Sequence, residues 1–94
     1  MKIRVTRRAR TDMLEILSFV AEKSPQGAAR VAAAIEAGLS FLSENPRGGL
    51  RTDHPELYVK ILPDCPYKIF YRFRTDAIEV VHIRHSARAP WPAS

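Results

Sequence analysis

Four cations and one imidazole give this sequence its most pointed chemistry. Lys60, Lys68, Arg72 and Arg88 are suited to clamping a phosphate, and His85 offers an imidazole that can take or return a proton. Substitution at a phosphodiester needs a group that removes the nucleophile's proton, cations that stabilise the charge on the phosphate, and a donor for the leaving oxygen. For such a reaction Lys60 and His85 are the proton-transfer candidates, and Lys68 and Arg88 the phosphate ligands. An overlapping group, Arg72, Arg84, His85, Arg88 and Trp91, combines cations with a large aromatic and suits the binding of a target without a reaction.

The remaining reactive side chains point away from metal and thiol chemistry. His82 and His85 are spaced i, i+3 in a segment of strand character, so they face opposite ways and do not share a metal; neither a metal nor a cofactor is expected. His54 is expected in solvent. Cys65 is the single cysteine, so no disulfide or thiolate cluster forms within the chain, and no activating base stands beside it.

At 94 residues, the sequence is expected to form one domain over 1–94, with 87–94 as a C-terminal tail. Apolar residues make up 46% and charged residues 27%, a globular balance that excludes disorder. No apolar run reaches the roughly 18 to 20 residues of a membrane helix, and the first residues are too basic for a signal peptide, so a cytoplasmic location is expected. The net charge of +5 favours an anionic partner: nucleic acid, ribosome or an acidic protein segment.

Hydrophobic periodicity supplies the elements that must position these groups. Ile3 and Val5 alternate with Lys2, Arg4 and Thr6, as in a short half-buried strand. Ala9, Met13, Ile16, Leu17, Val20 and Ala21 then recur at helical spacing, with Thr6 as N-cap and Arg10, Asp12, Glu15 and Glu22 mainly off the stripe. Ser24-Pro25 starts a second helix, whose stripe is Ala28, Val31, Ile35, Leu39 and Leu42, and whose many alanines allow close approach in an antiparallel hairpin. Asn45-Pro46 ends it, and 47–56 reads as loop. Strands are predicted over 57–62, 67–74 and 78–85. Tyr67, Ile69, Tyr71 and Phe73 share one face, and their aromatics are read as core rather than as a base-stacking platform; Lys68, Arg72 and Arg74 share the other. The order β-α-α-β-β-β gives a small α+β domain, with the N-terminal strand and helical hairpin packed on a small antiparallel sheet.

This ordered set resembles a known family. Ala9, Asp12-Met13-Leu14 and Ile16, then Phe19-Val20-Ala21, Ser24-Pro25 and the alanine-rich helix running into Leu42-x-x-Asn45-Pro46-x-x-Gly49, resemble the helical half of the RelE/ParE toxins. Tyr67-Lys68-Ile69-Phe70-Tyr71-Arg72 resembles the family's Tyr-Arg-Ile-x-Tyr-Arg strand, and Val81-x-Ile83-x-His85-Ser86-Ala87-Arg88 resembles its closing Val-x-His-x-Ala-Arg. RelE-like members are ribosome-dependent mRNA interferases, whereas ParE-like members inhibit DNA gyrase and are held by ParD-type antitoxins. Lys68 stands where the family's strand carries arginine, which loses a bidentate phosphate contact. The C-terminal tyrosine of several RelE-like members is absent, and Trp91, near that place, is no acid or base.

The resemblance therefore implies a ParE-like toxin of a type II toxin–antitoxin system. Such a toxin would inhibit gyrase by binding and form a hetero-oligomer with a ParD-type, ribbon-helix-helix antitoxin. The alternatives it leaves are a RelE-like mRNA interferase using Lys60, Lys68, His85 and Arg88, and a non-toxic antitoxin-binding module. Leu14, Phe19 and Phe41, at the margins of the helical stripes, are the candidate antitoxin contacts.

Overall fold

In a computed structural model, which describes residues 1–87, β1 is Lys2–Val5, α1 Arg7–Lys23 and α2 Pro25–Glu44, followed by β2 Leu50–Arg51, β3 Tyr58–Ile61, β4 Tyr67–Phe73 and β5 Ala77–His85. The helices begin where local chemistry says they should. Thr6 is extended and its hydroxyl accepts from the Ala9 N–H at 3.2 Å, satisfying one of the amides that open a helix. Ser24 serves both helices: its N–H donates to Val20 O at 2.8 Å to close α1, and its Oγ accepts from Gly27 N–H at 2.9 Å to open α2. With Pro25 at the start of α2, the chain reverses without a loop, and the hairpin packs on the sheet as one layer.

The sheet runs β1-β5-β4-β3-β2. The last three strands form the antiparallel meander that alternation predicts, while β1 pairs in parallel with β5, through Ile3↔Ile78 and Val5↔Val80. Within the predicted loop, Leu50 and Arg51 add the two-residue edge strand β2 against Val59 and Tyr58. The rest of that loop is bonded around Thr52, whose Oγ donates to Leu57 O at 2.8 Å and accepts from His54 N–H at 3.1 Å.

Ile69, Tyr71, Ile78, Val80 and Ile83 on the sheet pack against Ala9, Val31, Ile35 and Leu42 on the helices. The β4–β5 register shifts by one after Phe70↔His82, to Tyr71↔Val80, leaving Val81 as the extra residue of a bulge. Ile78 and Val80 face the helices before it, and Ile83 and His85 after it, so β5 reads as a β-branched run without a clean period. Gly38 lets α2 settle: a Cβ there would lie 2.5 Å from Leu62 Cδ2 and 3.1 Å from Ile69 Cδ1. Ala21, assigned to the α1 stripe, is exposed, and most of that stripe is half-buried, because α1 lies along β5 near the margin of the sheet.

The Tyr-x-Ile-x-Tyr and Asn-Pro-x-x-Gly segments meet. The fully buried Tyr71 hydroxyl accepts from Gly49 N–H at 3.0 Å and donates to Pro46 O at 3.2 Å, clasping the loop that follows α2. Burial pushes the phenol's pKa up, so it remains a donor. Among the described residues, no helix is long and apolar enough to cross a membrane.

Candidate functional site

On the sheet face turned away from the helices, strand alternation and register bring together residues far apart in sequence. Lys68 and Arg84 are direct cross-strand neighbours, as are Phe70 and His82, and Arg72 and Glu79. Lys68 Nζ lies 5.7 Å from the Phe70 ring centroid. Arg72 Nε donates to Glu79 Oε1 at 2.7 Å, and Arg74 reaches the same oxygen at 3.2 Å. The hydrogen bond from Arg72, with both guanidinium charges, holds the Glu79 carboxyl below its usual range. Arg72 is thus committed to an ion pair, and Lys68 and Arg84 stand side by side further along the same face.

The groups proposed for phosphodiester cleavage are distributed over both faces. Lys60 pairs with Ile69 and therefore turns to the helix side, where its Nζ sits 4.3 Å from the Phe41 ring centroid. His85 is also on the helix side, edge-on to Tyr67 at 5.3 Å, with Nδ1 accepting the Ala87 N–H at 3.0 Å. Lys68 faces the opposite way. Of the target-binding candidates, Arg72 and Arg84 share the far face and His85 does not. Arg88 and Trp91 lie outside the described residues.

Spacing alone missed one constellation. Asp12, expected off the apolar stripe, turns towards the sheet margin, where its Oδ2 is 2.6 Å from His82 Nδ1 and accepts the Ile83 N–H at 3.1 Å. β1 pairs with β5 only as far as Val80, and Thr6 takes the next positions, its N–H donating to Val80 O and its hydroxyl to Val81 O. The Asp12 carboxylate then satisfies an edge amide that no strand reaches. Burial pushes the His82 pKa down against the opposing pull of Asp12. No periodicity signals a contact between positions 12 and 82.

Beside this link a groove of about 640 Å³ runs between α1 and β5, lined by Glu15, Ile16 and Phe19 and by Tyr67, Ile83 and His85. Leu14, Phe19 and Phe41, the candidate antitoxin contacts, are 63%, 58% and 38% exposed. They do not form one patch: Phe19 flanks β5, and Phe41 stands beside Lys60 of β3, across the helical layer.

Comparisons with known proteins agree with this architecture. Residues 3–90 match the family model for the ParE toxin of the type II toxin–antitoxin system parDE. Y4kP, a candidate toxin of Sinorhizobium fredii, is 34% identical over 91 residues, covering 97% of this chain and 93% of its own. A chain from the structure of the chromosomal ParDE system of P. aeruginosa superposes with a TM-score of 0.79 at 22% identity, over 90% of this chain and 95% of that one, which shows a shared fold. The match across nearly the whole sequence, carried by the same helical hairpin and meander, makes this chain a member of the ParE toxin family, the toxin component of a type II toxin–antitoxin system.

Proposed function

We propose that the chain inhibits DNA gyrase by stoichiometric binding and is neutralised by a ParD-type antitoxin with a ribbon-helix-helix fold. The observation that carries the first half is the division of cations between the sheet faces. Lys60 packs against Phe41 on the helix side while Lys68 adjoins Arg84 on the other, so the described candidates for proton transfer and phosphate binding do not converge on one reacting group. Adjacent cations on a sheet face instead suit a binding surface for an acidic or nucleic-acid-bound partner. Arg72 and Arg84 are the target contacts of this face, Arg88 and Trp91 are added from sequence, and His85, on the helix side, is reached only by a partner that extends round the end of β5. The target and the antitoxin place the activity in the cytoplasm.

The antitoxin half is supported by the ParDE system to which the fold corresponds and by the exposed apolar side chains on the helices. Leu14, Phe19 and Phe41 lie on different parts of the helical layer, so an antitoxin that buries all three wraps the hairpin. The decisive experiment adds the purified chain to gyrase and, separately, to translating ribosomes. Loss of supercoiling, or accumulation of cleaved DNA–gyrase complexes, with intact mRNA is expected, and Lys68→Glu with Arg84→Glu should restore supercoiling. Cleavage of ribosome-bound mRNA with unaffected gyrase would refute the proposal, and no effect in either assay would identify a non-toxic antitoxin-binding module.

A further inference from the structure

Beyond the end of α2, the helix-side face of the sheet carries a second cationic feature, distinct from the Lys68–Arg84 pair. Arg51, Tyr58 and Tyr71 form one cross-strand row, and Phe73 follows two residues further along β4. The rings make a tight cluster: Tyr58 to Tyr71 at 5.7 Å and Tyr58 to Phe73 at 5.2 Å between centroids. Tyr71 is fully buried, whereas Tyr58 and Phe73 are only half-buried. Two guanidinium groups lie against these two rings, Arg47 at 5.5 Å from the Phe73 centroid and Arg51 at 5.8 Å from that of Tyr58.

The arrangement is held from both sides. Tyr71 bonds Pro46 and Gly49, which bracket Arg47, so the clasp on the loop presents that side chain to Phe73. Pairing of β2 with β3 does the same for Arg51 over Tyr58. Arg4, Arg72 and Arg74 are each neutralised by a carboxylate, but among the described residues neither Arg47 nor Arg51 has an ion pair. Both side chains are exposed.

We infer that Arg47, Arg51, Tyr58 and Phe73 form a binding site for single-stranded nucleic acid, an unpaired base stacking on the ring and guanidinium planes and adjoining phosphates held by the two arginines. The chemistry selects this partner. Half-covered aromatic faces and planar cations stack on any exposed base, and two unneutralised guanidiniums supply the counter-charge for the strand. A base inside a duplex already has both faces stacked and offers the site only its phosphates. The inference is independent of the gyrase reading, and its test contains no gyrase.

The test is fluorescence anisotropy of the full-length chain with labelled strands of about ten nucleotides, the length a small binding site covers, one of deoxythymidine and one of uridine. Arg47→Gln with Arg51→Gln should weaken binding and lower the salt slope by about 1.4, roughly 0.7 for each lost phosphate contact. Removing the same charge on the outer helix surface, through Arg10→Gln with Arg30→Gln, should leave the slope within about 0.3 of the parent. Tyr58→Leu should weaken binding about tenfold or more at unchanged slope. Because Tyr58 also packs in the cluster, Tyr58→Phe is measured beside it and should bind as the parent does. Preference for the deoxythymidine or the uridine strand distinguishes DNA from RNA as the partner, the two differing in the sugar and in the thymine methyl. Absence of binding to both strands overturns the inference. So does equal affinity for duplex DNA, or Tyr58→Leu binding as tightly as the parent.

Discussion

Replacing Tyr71 with phenylalanine removes one oxygen atom and unlatches the loop after α2. The hydroxyl accepts the Gly49 N–H at 3.0 Å and donates to Pro46 O at 3.2 Å, from a side chain with no exposed surface. Neither backbone group has another hydrogen bond among the described residues. Each lost bond costs about 1 kcal/mol net, so the pair costs about 2 kcal/mol. For a domain of this size each kcal/mol lowers the melting midpoint by roughly 4–8 °C, which predicts a fall of about 8–16 °C. Circular dichroism melts of parent and Tyr71→Phe measure it directly. Tyr58→Phe is the control, since among the described residues no hydrogen bond engages its hydroxyl, and it should stay within about 0.5 kcal/mol of the parent. Hydrogen exchange supplies the local readout: the Gly49 amide should lose protection while amides of β4 and β5 keep theirs. A midpoint shift below about 3 °C, with Gly49 still protected, would show that the clasp contributes little and that the loop is held by other contacts.

Three further outcomes are expected. Gly38→Ala gains about 1 kcal/mol of helix propensity but drives a methyl into Leu62 and Ile69 at a cost of about 1–3 kcal/mol, so a net loss of up to about 2 kcal/mol should appear in denaturant unfolding. His82 has a lower pKa folded than unfolded, so the unfolded chain binds a proton that the folded one does not; its contribution is complete above about pH 6.5 and lost as pH falls. His82→Asn, which keeps a donor for Asp12 and cannot titrate, should flatten the decline in melting midpoint between about pH 7.5 and 5, and an unchanged decline would assign it to other groups. Lys60→Met preserves the packing on Phe41 without the charge, so gyrase inhibition should be retained in a supercoiling assay; complete loss would place Lys60 at the target interface.

Much of the architecture was legible because it is written locally. Thr6 and Ser24-Pro25 mark helix ends through their own hydroxyls and the proline ring, and the structure places both helices there. The alternation of Tyr67, Ile69 and Tyr71 with Lys68 and Arg72 separates core from far face, and burial follows it. Phe70, on the far face, is nevertheless buried, which alternation does not predict. β2 was illegible because two residues are too short to show a period.

The candidate site was less readable, because its members meet only through register. Lys60 and Lys68 look equivalent in sequence, yet the pairing of Lys60 with Ile69 and of Lys68 with Ile61 sends them to opposite faces. The bulge at Val81 resets which side chains of β5 face the helices, and a single strand carries no mark of it. By itself, then, the sequence determined both helices, the other four strands, their order and the family, since capping, periodicity and motif spacing act over a few residues. Only the tertiary structure decided that β1 runs parallel beside β5, that Asp12 meets His82, that Tyr71 clasps Gly49, and that Arg47 and Arg51 come to rest on aromatic rings. Those contacts join residues with no local signal for each other, and they form only when the helical hairpin and the meander close around one core.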